Sequence, residues 1–95
     1  MYFVVLCKDK PNSTHIRAEN RDAHLDYLKA HSEHIKVAGP FLDEKGSMVG
    51  SMLIIRAETT QAIDGLLQQD PYAHASLFEE VTVQPWRWVV GEPKE

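Results

Sequence analysis

The sequence predicts an α+β domain in which two helices cover one face of a four-stranded antiparallel sheet, in the order β-α-β-β-α-β. Three observations predict it. Four apolar, β-rich runs begin near residues 2, 35, 49 and 77. Between the first and second runs, and again between the third and fourth, apolar residues recur at helical spacing. No apolar run approaches the ~20 residues that would span a bilayer. Ninety-five residues suffice for one core, so residues 1–95 are taken as a single domain.

The first strand is Tyr2 to Cys7, with Tyr2, Val4 and Leu6 on one face and Phe3, Val5 and Cys7 on the other. Both faces are apolar and both require burial. The same run resembles the core of a signal peptide, but it lacks the basic start and the small-residue cleavage site. A polar loop, Lys8 to His15, is punctuated by Pro11, Asn12 and Ser13. The first helix begins near Ile16. Ala18, Arg21, Leu25 and Leu28 form one stripe, and Arg17, Arg21, His24, Leu28 and His31 form the stripe beside it. Leu25 and Leu28 are expected against the sheet, with Arg17, Arg21 and His24 along the border of that contact. Asp22, Asp26, Lys29 and Glu33 face solvent.

Ile35 to Leu42 is the second strand, and Pro40 marks an edge, a bulge or its end, because proline cannot donate to a ladder. A charged turn, Asp43 to Ser47, leads to the third strand, Val49 to Ala57. Its residues Val49, Ser51, Leu53 and Ile55 share one face, and Met52 and Ile54 share the other. Thr59 or Thr60 N-caps the second helix, whose buried stripe is Ala62, Ile63, Leu66 and Leu67. That helix stops before Asp70-Pro71, since the residue before proline is pushed out of the helical region. Tyr72 to Ser76 is a short turn or a single helical turn. The last strand runs from Leu77 to Val90, with a bulge or bend expected at Pro85, and residues 91–95 form a frayed tail.

This order is the ferredoxin-like arrangement. Two helices cover only one face of such a sheet, yet the strands are apolar on both. A second copy of the chain, packed sheet against sheet, is the economical cover and gives a dimeric α+β barrel. A ligand-filled open face is the alternative.

A net charge of −4 argues against nucleic-acid binding, which needs a basic footprint. The one cysteine, Cys7, cannot form an internal disulfide, so a reducing cytoplasm is the default and a packed, inert thiol the expected state. Of the five histidines, His15, His34 and His74 fall in loops or at helix ends. His31 and His34 are placed to share a metal, but no third ligand stands nearby and no metal is expected. His24 differs because it borders the buried face. Both helices pack on the same side of the sheet, which makes a pairing of His24 with Asp70 geometrically possible. A carboxylate on one imidazole N–H fixes the tautomer and leaves the other nitrogen free as a general base. Against this stands a purely structural histidine and an aspartate that merely caps a turn. Arg17 or Arg21 is suited to an anionic group, although a surface ion pair with Asp22, Glu19 or Glu33 is the plainer role. Tyr72, Phe41 and the two tryptophans are candidates for an aromatic pocket, or for core and dimer contacts.

Taken together, YFVVLCKDKPN at the start, Arg17, Arg21, His24, Leu25 and Leu28 in the pattern R-x3-R-x2-HL-x2-L, the Ala38–Pro40 AGP, the Gly50–Ser51 GS and the Asp70–Tyr72 DPY resemble the YciI-like (YCII-related) family of small proteins. The resemblance implies a ferredoxin-like fold, a dimeric α+β barrel, and an active site built on a histidine–aspartate pair, which by position is His24 and Asp70. It also implies cofactor-independent proton transfer on small ring compounds. Such chemistry includes dehydrochlorination of chlorinated hydroxyhydroquinones and, in the similar muconolactone isomerases, lactone isomerisation. The chain departs from the pattern at Ser76, where the family often has glycine. One expectation is therefore a small lyase or isomerase with catalytic His24 and Asp70, substrate contacts from Arg17, Arg21, Ser51 and Tyr72, and neither metal nor organic cofactor. The other is a non-catalytic dimeric module that binds a small metabolite or serves a larger complex.

Overall fold

A computed structural model describes residues 1–94. The elements are β1 (Tyr2–Asp9), α1 (Thr14–Ala30), β2 (Ile35–Leu42), β3 (Met48–Arg56), α2 (Thr60–Leu67), α3 (Pro71–His74) and β4 (Phe78–Trp86). The sheet order is β2-β3-β1-β4 with every neighbouring pair antiparallel, which is the ferredoxin-like βαββαβ fold. No helix of the described residues is long and apolar enough to cross a membrane.

The central strands β1 and β3 pair Phe3 with Ile55, Val5 with Leu53 and Cys7 with Ser51. These six face the helices and are buried, so alternation along each strand sorts core from surface. Tyr27 of α1 and Ile63 and Leu66 of α2 close the core from above. The sheet prolines, Pro40 and Pro85, both lie on edge strands, where a missing N–H costs no ladder bond on the open side. Thr59 is the N-cap of α2, its hydroxyl accepting from the Ala62 N–H at 3.1 Å.

Four expectations are corrected. β1 runs two residues further than Cys7, and α1 begins at Thr14, so the loop between them shrinks to residues 10–13. On α1 the buried residues are Arg17, His24 and Tyr27, whereas Leu25 is 46% exposed and Ala18 is exposed. The helix is turned so that its polar side chains face inward, because Asp9, Ser51 and Asp70 await them there. On α2, Ala62 is exposed while Ile63 and Leu66 are buried. Finally, β4 ends at Trp86 rather than Val90, and its irregularity lies opposite Lys8 and Asp9, not at Pro85, which pairs regularly with Phe3. Residues 91–94 carry no helix or strand, and Glu95, the end of the expected tail, lies outside the described residues.

Candidate active site

Asp9 continues the inward parity of Phe3, Val5 and Cys7, which places a carboxylate at the buried end of β1. Arg17, one turn into α1, meets it in a two-pronged ion pair. Its Nε donates to Asp9 Oδ2 at 2.8 Å and its Nη2 to Asp9 Oδ1 at 2.9 Å, with both side chains 5% exposed. The planar fork of a guanidinium matches a carboxylate in this way, and the pair compensates charge that burial alone would make costly. Nη2 also donates to Ser51 Oγ at 3.0 Å. Burial works against the Arg17 charge, but the hydrogen bonds and negative charge of Asp9 outweigh it and hold the guanidinium above its ordinary pKa.

Two turns further along α1, His24 is 7% exposed. Its Nδ1 lies 2.9 Å from Asp70 Oδ1. Asp70 sits just before α3, 1% exposed, and the same Oδ1 accepts the Tyr72 backbone N–H at 2.9 Å as the N-cap of that helix. Pro71 occupies the first helical position, where its missing N–H costs nothing. Asp70 is therefore oriented by its own turn before any histidine arrives. Its other oxygen, Oδ2, is buried without a hydrogen-bond partner among the described residues. An ionised carboxylate can only accept, so facing one, Nδ1 of His24 is the donor, and in the neutral imidazole Nε2 is then the nitrogen with the lone pair.

The Tyr72 ring joins the two halves. It stacks on the His24 imidazole with centroids 4.0 Å apart and planes 17° from parallel. The Arg17 guanidinium carbon stands 4.6 Å from the same ring's centre. Burial raises the Tyr72 phenol pKa, and Arg17 only partly opposes it, so Tyr72 stays protonated near neutrality. Arg17, Tyr72 and His24 form one packed column, which removes rotamer freedom from each.

This column borders a cavity of about 230 Å³ between α1 and the β2–β3 half of the sheet. Arg17, Arg21, His24, Ser51 and Tyr72 make its polar wall, and Leu25, Leu28, Pro40, Met48 and Leu53 its apolar one. An engineered apolar cavity of roughly 150 Å³ holds benzene, so the space suits one substituted ring. A base, a hydroxyl and an apolar wall around a ring-sized space can perform proton transfer on a bound ring.

All six residues singled out from the sequence, His24, Asp70, Arg17, Arg21, Ser51 and Tyr72, belong to this one region. One expectation about them is corrected. Arg17 pairs with Asp9, not with Asp22, Glu19 or Glu33, and it is not a free cation for an anionic substrate. Arg21 is exposed, at the rim of the cavity. Phe41 and the tryptophans, by contrast, do not line the cavity. Phe41 borders a hollow that also takes in Leu6, Gly50 and Thr82, and Trp86, Trp88 and Tyr2 pack on one another. His31 and His34 line a separate open groove of about 920 Å³ with Lys36 and Arg56. Among the described residues its lining contains no buried ionisable side chain. Sequence reasoning missed Asp9 and Tyr27. For Asp9 the signal was present, since a carboxylate on the parity of three core residues has to meet a cation. Tyr27 lies three residues from His24 and donates its hydroxyl to the Leu66 carbonyl at 2.7 Å, which fastens α1 to the end of α2.

Comparison with known proteins gives a consistent picture. Residues 1–87 match the family model of the YCII-related domain. An uncharacterized protein of Haemophilus influenzae is 34% identical over 97 residues, covering 94% of this chain and 99% of its own. Protein YciI of Escherichia coli is 32% identical over the same extent. Among solved structures, the 5-chloro-2-hydroxyhydroquinone dehydrochlorinase TftG of Burkholderia phenoliruptrix, in complex with 2,5-dihydroxybenzoquinone, superimposes with a TM-score of 0.84. It is 35% identical, and the match covers 92% of this chain and 94% of that one.

Proposed function

The chain belongs to the YCII-related domain family, and from that membership together with the buried His24–Asp70 pair we propose that it is an enzyme needing no metal or organic cofactor. Its chemistry is acid–base elimination or isomerisation on a small hydroxylated ring, with dehydrochlorination as the leading case. The observation that carries this is the 2.9 Å contact between His24 and an Asp70 already held by its own helix cap, at the wall of a ring-sized cavity. The similarity to TftG points to chlorinated hydroxyhydroquinones as the substrate class.

In this mechanism Nε2 of His24 removes a proton from a ring hydroxyl or ring carbon, and Asp70 compensates the imidazolium that forms. The released electron pair moves through the ring to the chlorine-bearing carbon, which takes the proton back from the imidazolium and becomes tetrahedral. Loss of a proton from a second ring hydroxyl then forms the quinone carbonyl as chloride departs with its bonding pair. The ring loses H⁺ and Cl⁻, and no outside oxidant is required. A ring oxygen that gains charge on the way receives the Ser51 hydroxyl. Ser51 already accepts from Arg17, which polarises its O–H for donation. Tyr72 keeps the imidazole plane fixed by stacking.

His24→Ala and Asp70→Asn each abolish turnover of 5-chloro-2-hydroxyhydroquinone while far-ultraviolet circular dichroism stays that of the wild type. Full activity in both variants overturns the proposal. The second reading, a non-catalytic binding module, draws on the double duty of Asp70 as helix cap. It expects His24→Ala to lower the melting temperature without changing any activity. A second copy of the chain covering the open sheet face completes the proposal, as a dimeric α+β barrel acting on a small, ring-shaped molecule.

A further inference from the structure

Two arginines border the cavity, and their surroundings divide them sharply. Arg17 is buried and fully committed to Asp9 and Ser51, so its charge is balanced inside the fold. Arg21 is exposed at the cavity rim. Its neighbours three and four residues away on α1, the positions that share its face, are Arg17, Ala18, His24 and Leu25. None is a carboxylate. The carboxylates Glu19, Asp22 and Asp26 fall at other spacings. The sheet residues around the cavity, Ala38, Gly39, Pro40, Met48, Ser51 and Leu53, are uncharged. In a chain of net charge −4, the mouth of this cavity thus carries a positive charge that forms no ion pair among the described residues.

We infer that Arg21 is the specificity determinant for substrate charge: it takes a second anionic group, a carboxylate or an ionised hydroxyl, on the part of the ring that points out of the cavity. The inference rests on the proposal that the cavity holds a ring beside His24, and it adds that neutral rings are discriminated against. The buried end of the cavity offers the ring oxygen a hydroxyl backed by an already neutralised guanidinium. The mouth offers a free cation reached by solvent. A ring that is anionic at its outer end satisfies both, whereas a neutral phenol satisfies only the first. The same charge focuses approaching anions toward an opening in an otherwise acidic protein.

Equilibrium binding of 2,5-dihydroxybenzoquinone, 4-hydroxybenzoate and phenol to the wild type, Arg21→Gln and Arg21→Lys tests this. Arg21→Gln is expected to weaken both anionic probes about five- to tenfold, as for a cation at a partly desolvated rim. It leaves phenol unchanged and flattens the dependence on salt between roughly 20 and 500 mM. Arg21→Lys retains most of the anion preference. An equal effect of Arg21→Gln on phenol and on the anions, or no effect on any probe, overturns the inference. Loss of turnover in His24→Ala with unchanged probe discrimination in Arg21→Gln sinks the charge filter alone. A wild type that binds none of the three probes sinks both the filter and the proposal beneath it.

Discussion

A buried ion pair does not need to add stability in order to be indispensable. Asp9 and Arg17 are each 5% exposed in their side chains, and removing one partner strands the other in a low-dielectric interior. Asp9→Ala is expected to lower the unfolding free energy by about 3–5 kcal/mol in urea titrations, far more than removal of a surface pair. Cys7 behaves in the opposite sense, as an inert group. Burial first, and then the negative charges of Asp70 and Asp9, push its thiol from an ordinary 9.0 up to about 12. The folded protein is therefore expected to resist alkylation by iodoacetamide at pH 8, and the unfolded chain to react at once. The sign of its linkage to stability follows. Between these two values the unfolded chain releases a proton that the folded chain retains, so the contribution of Cys7 is complete below pH 9 and fades as the pH rises toward 12.

At the scale of elements, two backbone positions decide whether the site is built. Ser76, just after α3, has φ = 57°, in the left-handed region that glycine enters without penalty. The chain pays for a side chain there, at the position where glycine is expected from the family resemblance. Ser76→Gly should stabilise the protein by up to about 1 kcal/mol in thermal melts, the relief of backbone strain being partly offset by the freer unfolded chain. Gly50 is the converse case. A Cβ at this position of β3 would stand 2.5 Å from the carbonyl oxygen of Cys7 on β1. Gly50→Ala must push the two central strands apart next to Ser51. A loss of about 1–3 kcal/mol is expected, with weaker binding of ring probes because Ser51 moves with its strand. Gly46, in the turn before β3, takes a positive φ of 84°, and the aspartate three residues earlier accepts the backbone N–H groups of Lys45 and Ser47. That turn was readable from its composition alone.

For the whole molecule, the helices cover one face of the sheet and leave Leu6, Phe41 and Trp86 at 42%, 43% and 37% exposure. These half-covered apolar side chains alternate with Lys8, Glu80 and Thr82, and this is the face on which the proposed second copy would sit. If a second copy covers this face, Leu6→Lys near its middle converts the mass measured by light scattering from that of a dimer to that of a monomer. A mass unchanged by Leu6→Lys, or a monomeric wild type, would show the face uncovered. His24 and Asp70 lie on the other side of the sheet, beneath the helices. The variant should therefore keep its ring cavity and lose only assembly.

Periodicity in the sequence determined the order and kind of the elements, because alternation and helical spacing are local properties that each segment carries by itself. β2 is found at its expected bounds, Ile35–Leu42, and α2 ends before Asp70-Pro71 as the proline requires. Local pattern also put His24 at the edge of a buried face, and the family motifs marked Asp70 as its partner. Which way α1 rolls was not a local property. Counting apolar residues turned Leu25 toward the sheet, whereas the tertiary structure turns Arg17, His24 and Tyr27 inward. The reason is that buried carboxylates and a hydroxyl on three distant segments, Asp9, Asp70 and Ser51, have to be satisfied by this one helix. Only the folded chain brings these residues together, and their joint demand for hydrogen bonds outweighs the burial of a single leucine. The same demand separates the roles of the arginines, consuming the charge of Arg17 and leaving that of Arg21 at the mouth of the cavity.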